Sequence, residues 1–431
     1  LDELFGSECF LGCVVRATGT TTGQDSGGLG QSFDYMLCYA RDPDTELLGL
    51  PLEENDEKRF QREDERGRYS LLQLRKTGNG DRPSMFYAVH APDGTDVFPI
   101  GPSGYESRWR FGLIKYQANL EDNMIVWKQV DRDGCTVWQP YVKYYLNGRT
   151  KRPSPLWDDL DGNKKATIEV KALLGEKVFS NPKPLAFIRR IIQIVMDEEP
   201  KGIVLDFFAG SGTTGHAVMA QNEADGGDRR YVLVQLPEPL DPEKKDQKIA
   251  ADFCDKIRKP RNIAELTKER LRRAAKKIKD ENPMFAGDLG FRVFKLDSSN
   301  IRAWEPDCDD LDQALFDSVE HLKSGRTEAD VLYELLLKLG LDLCVPIEMR
   351  SIADKEVHAV GGGVLMACLT EKIGRDDVEP LALGIVEWRT QLAPAGDTTG
   401  VFRDSAFSDD VAKTNMAAIL EQHGIANVRS L

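Results

Sequence analysis

The stretch Val204-Leu205-Asp206-Phe207-Phe208-Ala209-Gly210-Ser211-Gly212-Thr213-Thr214-Gly215 leaves few folds open to this chain. It reads as a short apolar strand, Ile203 to Phe208, running into a glycine turn. Gly210 and Gly212 let the backbone turn tightly and let a ligand approach without a Cβ in the way. The helix expected next, Thr213–Gln221, aims free N–H groups and a partial positive charge at an anionic ligand group. A second strand, Tyr231–Leu236, completes a βαβ unit, the signature of a doubly wound α/β sheet.

Gly210, Gly212 and Gly215 also satisfy Gly-x-Gly-x-x-Gly, so a dinucleotide site, and with it a nicotinamide-dependent oxidoreductase, is one reading. Such a site usually places an acid at the end of the next strand. Here Gln235 stands there, and Glu238 lies past it. A mononucleotide P-loop is excluded, because no Lys-Ser/Thr follows the glycines.

About twenty residues upstream, Lys183-Pro184 opens a helix whose Leu185, Ile188, Ile191, Ile192 and Val195 recur at spacings of three and four. Downstream, a helix from Asn262 lays Ile263, Leu266, Leu271, Ala274, Ala275 and Ile278 on one face. Between Arg258 and Lys279 there are ten Lys/Arg against Glu265 and Glu269, in a chain of net charge −14. That balance argues against indiscriminate nucleic-acid binding and leaves two readings of the stripe, a solvated face or one localised phosphate-binding face.

A chain of 431 residues implies two or three domains. Residues 1–45 hold a helix end and two strand patterns, Cys9–Arg16 and Phe33–Ala40, around a Thr/Gly/Gln-rich loop, Thr18 to Ser32. Residues 46–165 are irregular and β-leaning, with regular helices hard to find. Residues 166–285 alternate helix and strand. Residues 286–431 form an α+β unit with helices at Glu328–Leu339 and Asp410–Gln422 and strands at Phe291–Leu296, Gly363–Leu369 and Ile385–Trp388.

The eight cysteines form no Cys-x-x-Cys pair and sit near no histidine at zinc spacing, so no metal site is read. They suit buried, reduced thiols in a cytoplasmic protein. No run of 18 apolar residues reads as a membrane span. His216, just past the turn, reads as a helix-surface histidine. Trp109, between Arg108 and Arg110, reads equally as a core residue or as a DNA-stacking one.

Asp206-Phe207-Phe208-Ala209-Gly210-Ser211-Gly212-Thr213-Thr214 resembles the S-adenosylmethionine-binding motif of amino-methylating DNA methyltransferases, and Lys183-Pro184 resembles its companion motif. The companion precedes the glycine motif, as in the permuted class. The resemblance extends along the chain through Asp2-Glu3-Leu4-Phe5-Gly6, Asp34-Tyr35-Met36-Leu37, Pro92-Asp93-Gly94, Arg108-Trp109-Arg110, Ile263 to Arg270, Gly290 to Leu296 and Asp404-Ser405-Ala406-Phe407. In that order these segments look like type III restriction-modification methyltransferases, the Mod subunits, which methylate adenine in a short sequence of double-stranded DNA.

The resemblance implies an incomplete doubly wound methyltransferase sheet. Residues 1–45 would end its catalytic half, 46–165 would be the target recognition domain, and 166–285 the S-adenosylmethionine-binding half. Residues 286–431 would serve homodimerisation and contact with a restriction (helicase-nuclease) subunit. Lys183, Pro184, Asp206, Phe207, Phe208, Ala209, Gly210, Gly212 and Thr213 would hold the cofactor, with Gln235 at its ribose.

The family's Asp-Pro-Pro-Tyr loop, which grips the flipped-out base, does not occur in the chain. In the family it lies upstream of the segment matching Asp2–Gly6, and the chain opens at Leu1 without Met. The expectation is therefore an N-terminally truncated enzyme that alone transfers no methyl group, so no residue is assigned as catalytic. The alternative is a non-catalytic DNA-recognition scaffold subunit.

Overall fold

The computed structural model describes residues 1–19, 32–77, 82–101, 103–132, 134–196, 202–302 and 322–431. The chain is mixed α/β and divides into two compact units, Leu1–Gly290 and Phe291–Leu431.

In the first unit, β1 (Phe10–Ala17) and β2 (Phe33–Tyr39) pair antiparallel, from Phe10 opposite Tyr39 to Ala17 opposite Phe33. The expected loop between them lies mostly outside the described residues, but at its base Thr18 N donates to Ser32 O. The other edge of β1 runs parallel to Leu156–Trp157. Val14, Trp157 and Ile194 form a small core there.

The segment expected to be β-leaning contains a four-stranded antiparallel sheet. Its strands are β3 (Arg62–Asp64), β4 (Gly67–Gln73), β5 (Ile125–Arg132) and β6 (Cys135–Tyr145), in the order β3-β4-β6-β5. It also holds a regular helix that the sequence pattern did not reveal, α1 (Leu113–Glu121), which follows Gly112 and buries Tyr116. Of the two readings of Trp109, the core one holds: the ring is buried against Leu74, Val89 and Tyr116, and Nε1 donates to Tyr87 O at 2.8 Å.

The remainder of this unit alternates helix and strand: α2 (Asn163–Leu174), α3 (Leu185–Val195), β7 (Ile203–Asp206), α4 (Thr213–Asp225), β8 (Arg230–Leu233), α5 (Lys248–Lys256) and α6 (Ile263–Glu281). Strands β7 and β8 are parallel, Ile203 opposite Arg230 and Asp206 opposite Leu233, with α4 as the crossover. Val204 and Tyr231 pack on Ile192, Ala217 and Val218. On the opposite face Ile203, Leu205, Val232 and Val234 are exposed. Strands apolar on both faces have the composition of a parallel sheet covered on both sides.

In the second unit a five-stranded sheet has the order β9 (Ile347–Ile352), β10 (Lys355–Val360), β11 (Leu365–Cys368), β12 (Thr399–Phe402) and β13 (Asn427–Ser430). The first three strands are antiparallel and the last three parallel. Helix α7 (Glu328–Lys338), started by a Thr327/Asp330 capping box, packs Leu332 and Leu336 on one face. Helices α8 (Arg375–Leu392) and α9 (Asp410–Gln422) cover the other, around Trp388, Met416 and Phe402.

Two strand expectations fail here. Ile385–Trp388 lies inside α8, where Val378, Leu381, Ala382, Ile385 and Trp388 are buried at helical spacing; a short apolar run does not distinguish helix from strand. Residues 291–296 run without a ladder, and Phe294 instead packs edge-on against Tyr333. Among the described residues no helix is long and apolar enough to cross a membrane.

Among the described residues of the second unit, Trp388 is the largest fully buried side chain. Trp388→Ala is expected to destabilise that unit by about 3–5 kcal/mol, read as an earlier transition in urea. An unchanged midpoint would contradict this core.

Candidate functional site

Strand β7 ends at Asp206 rather than at Phe208, and the cause is local. Asp206 Oδ1 accepts from Phe208 N at 3.1 Å, turning the chain, and Oδ2 accepts from Thr214 Oγ1 at 2.6 Å. The turn closes with Gly212 N donating to Ala209 O at 2.7 Å. Gly210 and Gly212 have φ of 49° and 76°, in the left-handed region that favours glycine.

The two glycines serve different surroundings. A Cβ on Gly212 would come to 3.0 Å of Thr267 Cγ2, so that glycine allows α6 to pack closely. A Cβ on Gly210 would meet only Phe208 O, at 3.8 Å. Gly210 therefore faces open space, flanked by Phe207 and Phe208, whose rings meet edge-on and are largely in solvent; Phe208 is 83% exposed.

The Lys183-Pro184 segment meets this turn directly. Thr213 Oγ1 donates to Lys183 O at 3.3 Å. Pro184 caps α3 without needing a backbone donor, and Glu169 on α2 accepts from Leu185 N at 3.1 Å. Lys183 Nζ pairs with Asp34 Oδ2 on β2 at 2.8 Å, and buried Arg16 holds the same oxygen at 2.7 Å. The Lys183 hydrogen bond, seconded by Arg16 against partial burial, keeps the Asp34 carboxyl below its usual range. Two residues past the end of β8, which stops at Leu233 rather than Leu236, Gln235 Oε1 accepts from Gly210 N at 2.7 Å. All ten residues expected at the site thus lie in or against one turn, and Gln235 has a turn-holding contact that the sequence did not indicate.

Sequence reasoning missed the support beneath the turn. Thr267 Oγ1 lies 2.5 Å from Gly210 O and 3.1 Å from Ile263 O. Arg270 Nη1 donates to Ser211 Oγ at 2.7 Å and to Thr213 Oγ1 at 2.8 Å. Arg270 was grouped with the exposed cations of α6, but it is 1% exposed. A signal was present: Thr267, Arg270, Leu271, Ala274 and Ile278 follow the three-and-four spacing of a buried stripe. Burial pushes the Arg270 guanidinium down to about 10, which still leaves it charged at neutral pH.

Most other cations of α6 are held by acids of the same helix. Lys268, Arg272, Arg273, Lys276 and Lys277 pair with Glu265, Glu269, Asp280 and Glu281 of the same helix.

His216 also departs from expectation. It is 8% exposed, because Thr213 to Met219 on α4 are buried throughout. Burial first, and Arg270 second, push its imidazole down to about 3 from an ordinary value of 6.5. A depressed folded value means that the neutral ring contributes stability above about pH 6.5 and loses it as pH falls toward 3.

Two outcomes follow from these contacts. Thr267→Val leaves Gly210 O without its donor and is expected to cost about 1–3 kcal/mol, whereas Thr267→Ser restores stability; equal urea midpoints for the Val and Ser variants would remove the hydrogen bond from the account. Between pH 7.5 and 5 the native protein should lose about 2 kcal/mol through His216. A His216→Gln variant should lack that component, and identical pH dependence in the two proteins would rule it out.

Comparison with known proteins bears on the family of the chain. Residues 13–234, just over half of the chain, match the DNA methylase family. The Mod subunit of the type III restriction-modification enzyme StyLTI of Salmonella typhimurium is 30% identical over 69% of this chain and 42% of its own length. The EcoPI Mod subunit of Escherichia phage P1 is 28% identical over 68% of this chain and 46% of its own. The type II methyltransferase M.KpnI of Klebsiella pneumoniae is 30% identical over 56% of this chain and 59% of its own. The chain spans about half the length of these curated relatives. With the glycine turn and its companion helix both inside the matched residues, the chain belongs to the DNA methylase family.

Proposed function

We propose that this chain is the cofactor-binding and target-reading part of a site-specific DNA adenine methyltransferase, the modification subunit of a type III restriction-modification system. The observation that carries the reading is the open side of Gly210, bordered by exposed aromatic rings and joined through Thr213 to Lys183. Relatives named as type III Mod subunits support the substrate class, double-stranded DNA, and a restriction subunit as partner.

The residues present fit S-adenosylmethionine. Gly210 offers backbone without a Cβ, Phe207 and Phe208 offer apolar surface for a purine, and Lys183 offers a cation. When bound, the cofactor supplies an electrophilic methyl group on a sulfonium. The chain's own part is to bind and orient: Asp206, Gln235 and Thr267 fix the turn, and Asp34 fixes Lys183. Strands β7 and β8 belong, in this reading, to a larger doubly wound sheet, and the exposed face of Ile203, Leu205, Val232 and Val234 is the one its remainder covers. Residues 46–165 read the DNA sequence, and residues 286–431 serve dimerisation and contact with the restriction subunit.

Calorimetry with S-adenosylhomocysteine tests the proposal. The full chain is expected to bind it and not NAD, and Gly210→Val is expected to abolish binding. With no Asp-Pro-Pro-Tyr among its 431 residues, the chain alone is expected to transfer no methyl group to unmodified DNA. Failure to bind S-adenosylhomocysteine would overturn the reading.

A further inference from the structure

We propose that Glu328, Glu356 and His358 form a binding site for one divalent first-row transition cation in the second unit. Glu356 and His358 are two apart on β10, so both point to the same face of the sheet. Helix α7 lies on that face, and Glu328 is its first residue. One ligand atom from each of the three side chains lies within 4.8 Å of the other two.

The second observation is a polar imbalance at the same point. Glu328 Oε2 and His358 Nε2 are buried, and neither has a hydrogen-bond partner. The His358 side chain is only 12% exposed. The two atoms stand 3.7 Å apart, within reach of an ion pair when the ring is protonated but longer than a hydrogen bond. Buried polar atoms without a hydrogen bond are costly and call for a specific explanation. A cation between them satisfies both at once. Tetrahedral ligand atoms sit roughly 3.4 Å apart around zinc, close to the 3.7 Å between Glu328 Oε2 and His358 Nε2. Glu356 is exposed and gives the ion a route in.

One imidazole nitrogen with two carboxylates suits Zn²⁺, Co²⁺ or Mn²⁺ better than Ca²⁺, which favours all-oxygen shells. Three protein ligands leave room for water. The bound ion would join the start of α7 to β10. No sequence spacing announced the site, because Glu328 lies 28 residues before Glu356.

The test uses the full chain, stripped with EDTA and desalted, then titrated with Co²⁺ in calorimetry and absorbance. One Co²⁺ per chain is expected, with visible bands and no thiolate charge-transfer band, which separates this site from the cysteines. His358→Ala and Glu356→Gln should each weaken binding at least about tenfold. Glu356 is on the surface, so its variant stays informative if the histidine variant unfolds. No stoichiometric binding, a thiolate band, or full affinity in Glu356→Gln would overturn the assignment.

Discussion

Gly210 is held on both sides of its residue, and the geometry of the turn depends on that. Its N–H is taken by Gln235 just past β8, and its carbonyl by Thr267 from α6. A glycine at positive φ is free to adopt many other conformations, and that freedom is what folding must remove. Two hydrogen bonds, one on the N–H and one on the carbonyl, remove it and leave the Cβ side open. The surface that faces a ligand is therefore bare backbone in a fixed conformation, the condition under which binding need not spend free energy ordering the site.

The electrostatics of the turn are unusual for a helix start. Acidic groups normally sit at a helix N-terminus, where they offset its partial positive charge. Here the Asp206 carboxylate takes that place, accepting from Thr214 Oγ1, but beneath α4 there is also a buried guanidinium, and among the described residues no carboxylate lies within ion-pair distance of Arg270. Its partners are the Ser211 and Thr213 hydroxyls. Burying a charge with only neutral partners is costly, and its effect reaches as far as His216, which is kept neutral partly by it. The helix N-terminus and this buried cation thus stand on one side of the turn's charge balance, and the Asp206 carboxylate on the other.

What could be read in the sequence was what local chemistry decides. The glycine turn, the Pro184 helix start and the Asn262 cap are fixed by residues within a few positions of one another, and they stand where the pattern placed them. What escaped depends on tertiary neighbours. Nothing near His216 in sequence reveals that α4 is enclosed around its whole circumference. Arg270 looked like one cation among ten, and only the stripe shared with Leu271 and Ala274 distinguished it. Ile385–Trp388 was ambiguous in the same way: four apolar-rich residues fit either period, and the longer run from Val378 decides.

The site joins segments far apart in the chain. Asp34 meets Lys183 across 149 residues, and Gly210 meets Thr267 across 57. The matched family stretch ends at residue 234, so the helix that clamps the turn lies beyond it. A DNA methylase core cut at that boundary would keep its glycine motif and lose the Thr267 and Arg270 contacts, leaving the Gly210 carbonyl without its donor and the Ser211 and Thr213 hydroxyls without their buried cation. The fixed turn is thus a property of the longer chain: the motif supplies the conformational freedom, and residues well outside it select the one conformation that is used.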